Sequence, residues 1–312
     1  MRILVTGGAG FIGSHVCQRL AREGHAVHIL DNLDTYYSPD EKRRNLAQIL
    51  YDGPAILHEI DLRDDQEVGS VFHAIRPEAI VHLAAYAGVR RSLESPLLYE
   101  SVNVRGTVVL LEASRRVGVR KIIFASSSSV YGENDGVPVR EERVTRPISP
   151  YAATKVAGEQ LCYTYHHLYR LSVLCLRLFS IYGPRQRPDL AIRKFTERIV
   201  AGTPIDLFGD GTTTRDYTYV DDVVEAIVEA LQSSFEYDVF NIGNSRPVKL
   251  LDVVGLIERA VGKRAKIQWC GPQPGDTGAT HADISKAHRL LGYSPRIDIE
   301  DGIRAFVNWF MK

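Results

Sequence analysis

Tyr151 and Lys155 stand four residues apart in Tyr-Ala-Ala-Thr-Lys, so a helix through them puts a phenol and an ammonium on one face. A free phenol titrates near about 10 and is a poor base at neutral pH. A neighbouring ammonium favours the phenolate, which can then take a proton from an alcohol being oxidised. Just upstream, Ser126-Ser127-Ser128-Ser129-Val130-Tyr131-Gly132 offers hydroxyls that can donate to the same oxygen as it becomes a ketone. The spacing alone also fits a surface lysine beside a half-buried tyrosine. Its place, opening a helix after a serine-rich strand end, favours the proton relay.

A second group of residues suits a dinucleotide. Strand Ile3–Val5 runs into Thr6-Gly7-Gly8-Ala9-Gly10-Phe11-Ile12-Gly13, and a helical pattern follows. Gly7, Gly10 and Gly13 allow a tight turn, close backbone approach to a pyrophosphate and close helix-to-strand packing. The helix N-terminus then offers free N–H groups and a positive dipole end. The next strand ends at Asp31-Asn32, where a carboxylate can accept hydrogen bonds from both ribose hydroxyls of an adenosine and repel a 2′-phosphate. That favours NAD over NADP. Asp61-Leu62 could hold the adenine edge, and Leu83-Ala84-Ala85 keeps side chains small where backbone must pass the cofactor.

These residues need a sheet whose strand ends converge. Strands are expected over Arg2–Thr6, Ala26–Asp31, Ile56–Ile60, Ala79–Leu83, Lys121–Ser126 and Val173–Leu178. Helices are expected over Ile12–Glu23, Gln66–Ile75, Val104–Val117 and Pro150–Tyr169. Repeated β-α-β units with continuous apolar strands predict an α/β fold, a Rossmann-type doubly wound parallel sheet with its ligand at the carboxyl strand ends. After about residue 180 the rhythm breaks into turn-rich stretches and the helices Asp189–Ala201, Val220–Gln232 and Leu251–Val261. We expect residues 1–180 to form the NAD-binding domain and 181–312 mainly a smaller substrate-binding lobe, with a segment near Val239–Ile242 recrossing to the first.

Composition excludes other classes. Lys+Arg and Asp+Glu both number 38, so the formal charge is zero and neither nucleic acid nor an anionic membrane is an expected partner. An anionic ligand must therefore be met by a local cationic site. No apolar run reaches the roughly 18–20 residues that span a bilayer, and no small-residue cleavage site completes a signal peptide. The four cysteines lack CxxC spacing and the ten histidines lack HExxH spacing, so no metal is expected. A cytoplasmic location follows from these readings.

Together, the glycine loop, Asp31, the serine stretch, YxxxK and Arg215-Asp216-Tyr217-Thr218-Tyr219-Val220-Asp221-Asp222 resemble the extended short-chain dehydrogenase/reductase family, over essentially the whole chain. Within it the sequence most resembles UDP-glucuronate 4-epimerases. The features concerned are Asn32–Tyr37 with the basic helix after it, His82–Arg90, Phe179–Pro184, Arg187-Pro188-Asp189 and Gln273-Pro274-Gly275-Asp276. The resemblance implies Ser127 as the catalytic hydroxyl, Tyr151 as acid/base and Lys155 as its partner. It further implies Arg215 on the diphosphate, Asp276 on the uridine ribose, Arg90 between the cofactor phosphates and the sugar, Arg185 near the nucleotide, and a homodimer.

Several reactions of the family start with hydride leaving the sugar C4. Dehydratases place an Asp-Glu pair where Ser128 and Ser129 stand, and UDP-glucuronate decarboxylases carry Glu at 129, so the resemblance favours epimerisation. UDP-glucose 4-epimerases usually have Asn where Ser180 stands and Arg where Gln273 stands; the departures point to a uronate, cradled by Ser127, Ser128, Ser129 and Ser180. Three alternatives stay open: a UDP-glucose 4-epimerase, a decarboxylase or dehydratase, and a catalytically silent NAD-binding scaffold on the same fold.

Overall fold

The computed structural model describes residues 1–133, 136–271 and 278–312. Its centre is a parallel sheet of seven strands: β1 (Arg2–Thr6), β2 (Ala26–Leu30), β3 (Ala55–His58), β4 (Ala79–His82), β5 (Lys121–Ser127), β6 (Ser172–Leu178) and β7 (Tyr237–Ile242). They lie in the order β7-β6-β5-β4-β1-β2-β3. The order reverses between β1 and β4, which opens a crevice at the carboxyl ends of the strands.

The pleat sends successive side chains to opposite faces, and both faces are covered. Ile3 and Val5 join a core with Val16 and Leu20 of helix Phe11–Arg22 and Ile227 of helix Val220–Gln232. Leu4, Ile80 and Ile122 join another with Phe72, Leu110 and Cys162 from helices Asp65–Ile75, Gly106–Val117 and Pro150–Tyr169. Burial on both sides is why the strands read as unbroken apolar runs rather than alternating ones.

Beyond β6 the elements shorten. Helices Ala191–Ala201, Leu250–Val261 and Ile299–Phe310 pack around a separate apolar cluster that includes Ile205, Leu207 and Tyr217. Three two-stranded sheets accompany them: Ile181–Tyr182 with Thr218–Tyr219, Ile205–Phe208 with Ile267–Cys270, and Thr214–Asp216 with Pro247–Lys249. The expected return of the chain is β7, which pairs in parallel with β6 from Tyr237↔Val173 to Ile242↔Leu178. Buried Asp216 ties the later segments together by accepting the N–H groups of Asn244 (2.7 Å), Ser245 (3.0 Å) and Ala282 (2.9 Å).

Boundaries differ from expectation mainly where side chains intervene. The helix expected from Val104 begins as α-helix at Gly106, after a π-helical stretch Ser101–Arg105 that brings Asn103 inward. The helix expected from Asp189 begins at Ala191, because Asp189 is engaged by Arg187. No helix among the described residues is long and apolar enough to cross a membrane.

Candidate active site

A cleft of about 840 Å³ runs along the carboxyl ends of β1, β2, β4 and β5. Its floor is the glycine turn. Gly7 sits at φ +69°, and a Cβ there would lie 2.8 Å from the backbone nitrogen of Ala84. A Cβ on Gly13 would fall on the carbonyl oxygen of Gly7. Backbone therefore approaches backbone where a side chain would otherwise stand. Helix Phe11–Arg22 starts from Gly10 with no side-chain cap and no acidic residue in its first turn. Its first N–H groups and positive dipole end stay available to an anion in the cleft, which Phe11 and Ile12 also line.

Asp31 lies at the end of β2, buried, with its carboxylate accepting the N–H groups of Ala9 (3.1 Å) and Leu33 (2.9 Å) and Lys42 Nζ 4.0 Å away. Burial raises its pKa, while Lys42 and the two N–H groups oppose the rise. Asn32 Nδ2 donates to Asp61 (3.1 Å), whose carboxyl the Arg63 fork and N–H hold down at about 2. Asp61 and Leu62 line the cleft beyond the end of β3, and Leu83, Ala84 and Ala85 line it just after β4. Tyr37 also lines it, with its hydroxyl buried and lacking a hydrogen-bond partner among the described residues. The glycine cradle, the uncapped helix end and this orphaned hydroxyl fit a dinucleotide.

At the tip of β5 the serine turn meets helix Pro150–Tyr169. Ser127 Oγ accepts from the Ser129 N–H (3.2 Å) and the Ser129 hydroxyl (2.8 Å), leaving its own proton to point elsewhere. It lies beside the Tyr151 phenol, whose pKa burial pushes up while Ser127 and Arg187 work in the opposite direction. Lys155 is buried one turn on and donates to the carbonyl of Ala125 (2.8 Å); burial lowers its pKa to about 8. Ser128, Ser129 and Ser180 line the same end of the cleft. A hydroxyl donor, a phenol and an ammonium thus converge beside the dinucleotide floor.

The opposite wall contains residues that the motifs did not single out. Tyr36 Oη donates to the carbonyl of Ala87 (2.7 Å) and lies 3.3 Å from Asp189 Oδ2. Arg187 grips Asp189 with two bonds (2.9 and 2.8 Å), and the guanidiniums of Arg91 and Arg187 sit 4.1 and 5.2 Å from the Tyr36 ring. Burial opposes the charge of Arg187, but Asp189 outweighs it and the pKa rises. Asn103 anchors the backbone of Tyr86 (2.8 and 2.9 Å) and donates to Thr154 in the helix that carries Tyr151 (3.0 Å). Arg187 and Tyr36 stood inside quoted motifs, yet nothing in their spacing marked them as neighbours of Tyr151.

At the far end, Arg90 lies over the Phe208 ring (4.8 Å), and Arg215 donates to the carbonyls of Thr214 (2.9 Å) and Gly278 (3.3 Å); both line the cleft. Arg185 corrects an expectation. It is absent from the cleft lining, donates to Gln18 (2.9 Å) on the outer side of helix Phe11–Arg22, and shares a separate recess with Arg44, Arg193 and Trp309. Its backbone sits at φ +63° after Pro184. Asp276 and Gln273 lie outside the described residues.

Comparison with known proteins agrees with this geometry. A UDP-glucuronate 4-epimerase of Thermodesulfobacterium geofontis is 41% identical over 308 residues, 98% of this chain and 95% of that protein. The crystal structure of a Bacillus cereus UDP-glucuronic acid 4-epimerase, in complex with UDP-glucuronic acid and NAD, matches with a TM-score of 0.94 at 37% identity. It covers 100% of this chain and 99% of that one. A Thermotoga maritima UDP-glucose 4-epimerase with UDP-glucose matches with a TM-score of 0.92, also at 37% identity and with the same coverage. Residues 3–243 match the family described as NAD dependent epimerase/dehydratase, and the chain belongs to that family.

Proposed function

We propose that the protein is an NAD-dependent 4-epimerase of UDP-sugars that interconverts UDP-glucuronate and UDP-galacturonate. The observation that carries the reading is the convergence of Ser127, Tyr151 and Lys155 in one cleft with the Gly7–Gly13 cradle. The likeness to the Thermodesulfobacterium geofontis enzyme supports the uronate substrate. NAD⁺ bound over the cradle would accept the C4 hydride and return it to the other face of the sugar.

In this reading the chain supplies the rest. Gly7, Gly10, Phe11, Ile12 and Gly13 hold the pyrophosphate, with Asp31 and Asn32 at the adenosine ribose and Asp61 and Leu62 at the adenine. Tyr151 takes the proton of the C4 hydroxyl and gives it back, while Ser127 donates to the same oxygen when it is a ketone. Lys155 supplies positive charge beneath the phenol. Neither Ser128 nor Ser129 can do the acid–base work that would expel a C6 hydroxyl, so the ketone is left to turn over and be reduced. A 4-keto uronate is a β-keto acid, and Ser127, Ser128, Ser129 and Ser180 would hold its carboxylate out of line with the carbonyl π-system. Arg215 meets the diphosphate in the lobe after residue 180, and Arg90 lies near the cofactor phosphates and the sugar end. A two-fold homodimer in the cytoplasm completes the proposal.

The test is incubation with UDP-glucuronate and UDP-glucose separately, followed by NMR for inversion at C4 and for CO₂ loss. Faster formation of UDP-galacturonate than of UDP-galactose is expected. The reverse order would favour the second reading, a UDP-glucose 4-epimerase, which the 37% identity to the Thermotoga maritima enzyme supports.

A further inference from the structure

Beneath the serine turn lies a buried network with no part in the chemistry above. Glu159, only 2% exposed, accepts hydrogen bonds from the Ser126 hydroxyl and from Arg177 Nε (2.9 Å) and Nη2 (2.8 Å). Arg177 Nη1 donates to Tyr131 Oη (2.9 Å) and to the carbonyl of Glu141 (3.0 Å). The Tyr131 hydroxyl in turn donates to Asn241 Oδ1 on β7 (2.6 Å). The ion pair therefore holds the Ser126–Tyr131 segment at both ends, and Ser127–Ser129 sit between the two anchors.

The helix side is equally regular. Tyr151, Lys155 and Glu159 follow at one-turn intervals on one face. They meet Ser127, the carbonyl of Ala125 and the hydroxyl of Ser126, three consecutive residues of β5. An apolar pair of similar volume would fill this space at no greater cost. It would not fix the register of Ser126, because dispersion contacts lack direction.

We propose that Glu159, paired with Arg177, is a positioning residue that sets the Ser127 hydroxyl against the Tyr151 phenol and keeps charge under both. The inference rests on the reading of Ser127 and Tyr151 as the reacting pair. Lys155 is faced by Glu159 and Cys162 from its own helix, by the Ala125 carbonyl and the Phe124 ring from β5, and by His82 from β4, with Arg177 of β6 beyond Glu159. His82 is held neutral by burial, with a pKa near 3. Glu159, ion-paired with Arg177 at 2.8 Å, is a carboxylate that helps Lys155 keep its proton.

The experiment measures kcat, KM and the pH profile of epimerisation for Glu159→Gln, with Tyr151→Phe as control. Since the nucleotide end is remote, KM should stay within about threefold while kcat falls about tenfold or more, the order of a misplaced acid–base group. The alkaline limb of kcat should move to lower pH, because Lys155 loses its proton more readily; a role in folding alone would not shift it. Unchanged kcat and pH profile in a folded, NAD-retaining variant would overturn the inference. If Glu159→Gln does not fold, Ser126→Ala decides, since it leaves the ion pair intact. A kcat lowered about threefold or more at unchanged melting temperature supports the anchor, and wild-type kcat overturns it. An active Tyr151→Phe would instead sink the reading of the reacting pair, so the two failures are distinguishable.

Discussion

Tyr151 is half-buried at the cleft and Lys155 is buried behind it, which separates their tasks. Lys155 commits one of its three N–H donors to the Ala125 carbonyl, and Ser127 is the hydroxyl that lies beside the phenol. Tyr151→Phe keeps the ring and removes the proton acceptor; kcat should fall by about 10²–10⁴ with NAD still bound, the range typical of general acid–base catalysis. Steady-state assays and identification of the nucleotide released on denaturation check both halves. Burying Lys155 also has a stability cost with a defined pH dependence. Its folded pKa, about 8, lies below the ordinary 10.5, so the unfolded chain holds more protons between those values. Wild-type stability therefore gains with pH across that window, by about 3 kcal/mol at most from this group. Lys155→Met lacks the dependence: its melting temperature relative to wild type should be highest near pH 7 and decline towards pH 10. A difference that stays constant or grows would be the contrary result. That Ser127, Tyr151 and Lys155 share one cleft was legible because the proposed set reduces to one spacing, four residues on a helix, beside a run of serines. Tyr36, Asn103 and Arg187 were not, because their meeting depends on loops whose paths no local pattern dictates.

The central elements were readable to within a few residues for a physical reason: a strand buried on both faces must be apolar throughout, and a helix on the sheet must be amphipathic. β1 and helix Pro150–Tyr169 match their expected limits, and helix Val220–Gln232 does too. The short strands Ile181–Tyr182, Thr214–Asp216 and Thr218–Tyr219 were not foreseen, since two or three residues carry no periodicity and their pairing is set by tertiary contacts. The π-helical stretch at Ser101–Arg105 was equally hidden; its wider turn is the consequence of Asn103 reaching Tyr86 and Thr154. The junction of β1 with helix Phe11–Arg22 yields a prediction at this scale. Gly13→Ala would drive a methyl group onto the Gly7 carbonyl, so helix and turn must separate. Overpacking of this kind costs about 1–3 kcal/mol, and the cradle would lose its close approach to a pyrophosphate. A lowered melting temperature and purified protein free of NAD are expected. Retention of a full complement of NAD would show that the turn tolerates the shift.

The molecule as a whole leaves one side of the sheet's helical layer apolar. Leu97 is 82% exposed, Leu168 60% and Tyr163 50%, and all three lie on the helices Pro96–Glu100 and Pro150–Tyr169. The opposite face of the second helix carries Lys155, Glu159 and Cys162 into the protein, so the surface in question backs directly onto the active site. Scattered apolar side chains need no explanation, but several on two adjoining helices suit a partner. A two-fold axis is the simplest arrangement, because one patch then covers itself and the assembly closes. Within this region the strongest exposure is at Leu97, on the short helix Pro96–Glu100. Light scattering at micromolar concentration should give twice the chain mass. Leu97→Glu is the sharper test, since each substitution enters a two-fold interface twice and places two carboxylates in one apolar seam. The variant should run as a monomer, keep its NAD, and melt at a lower temperature that no longer depends on protein concentration. A wild-type protein that is monomeric at micromolar concentration, or a Leu97→Glu variant that remains dimeric, would move the contact elsewhere while leaving the chemistry of Ser127, Tyr151 and Lys155 untouched.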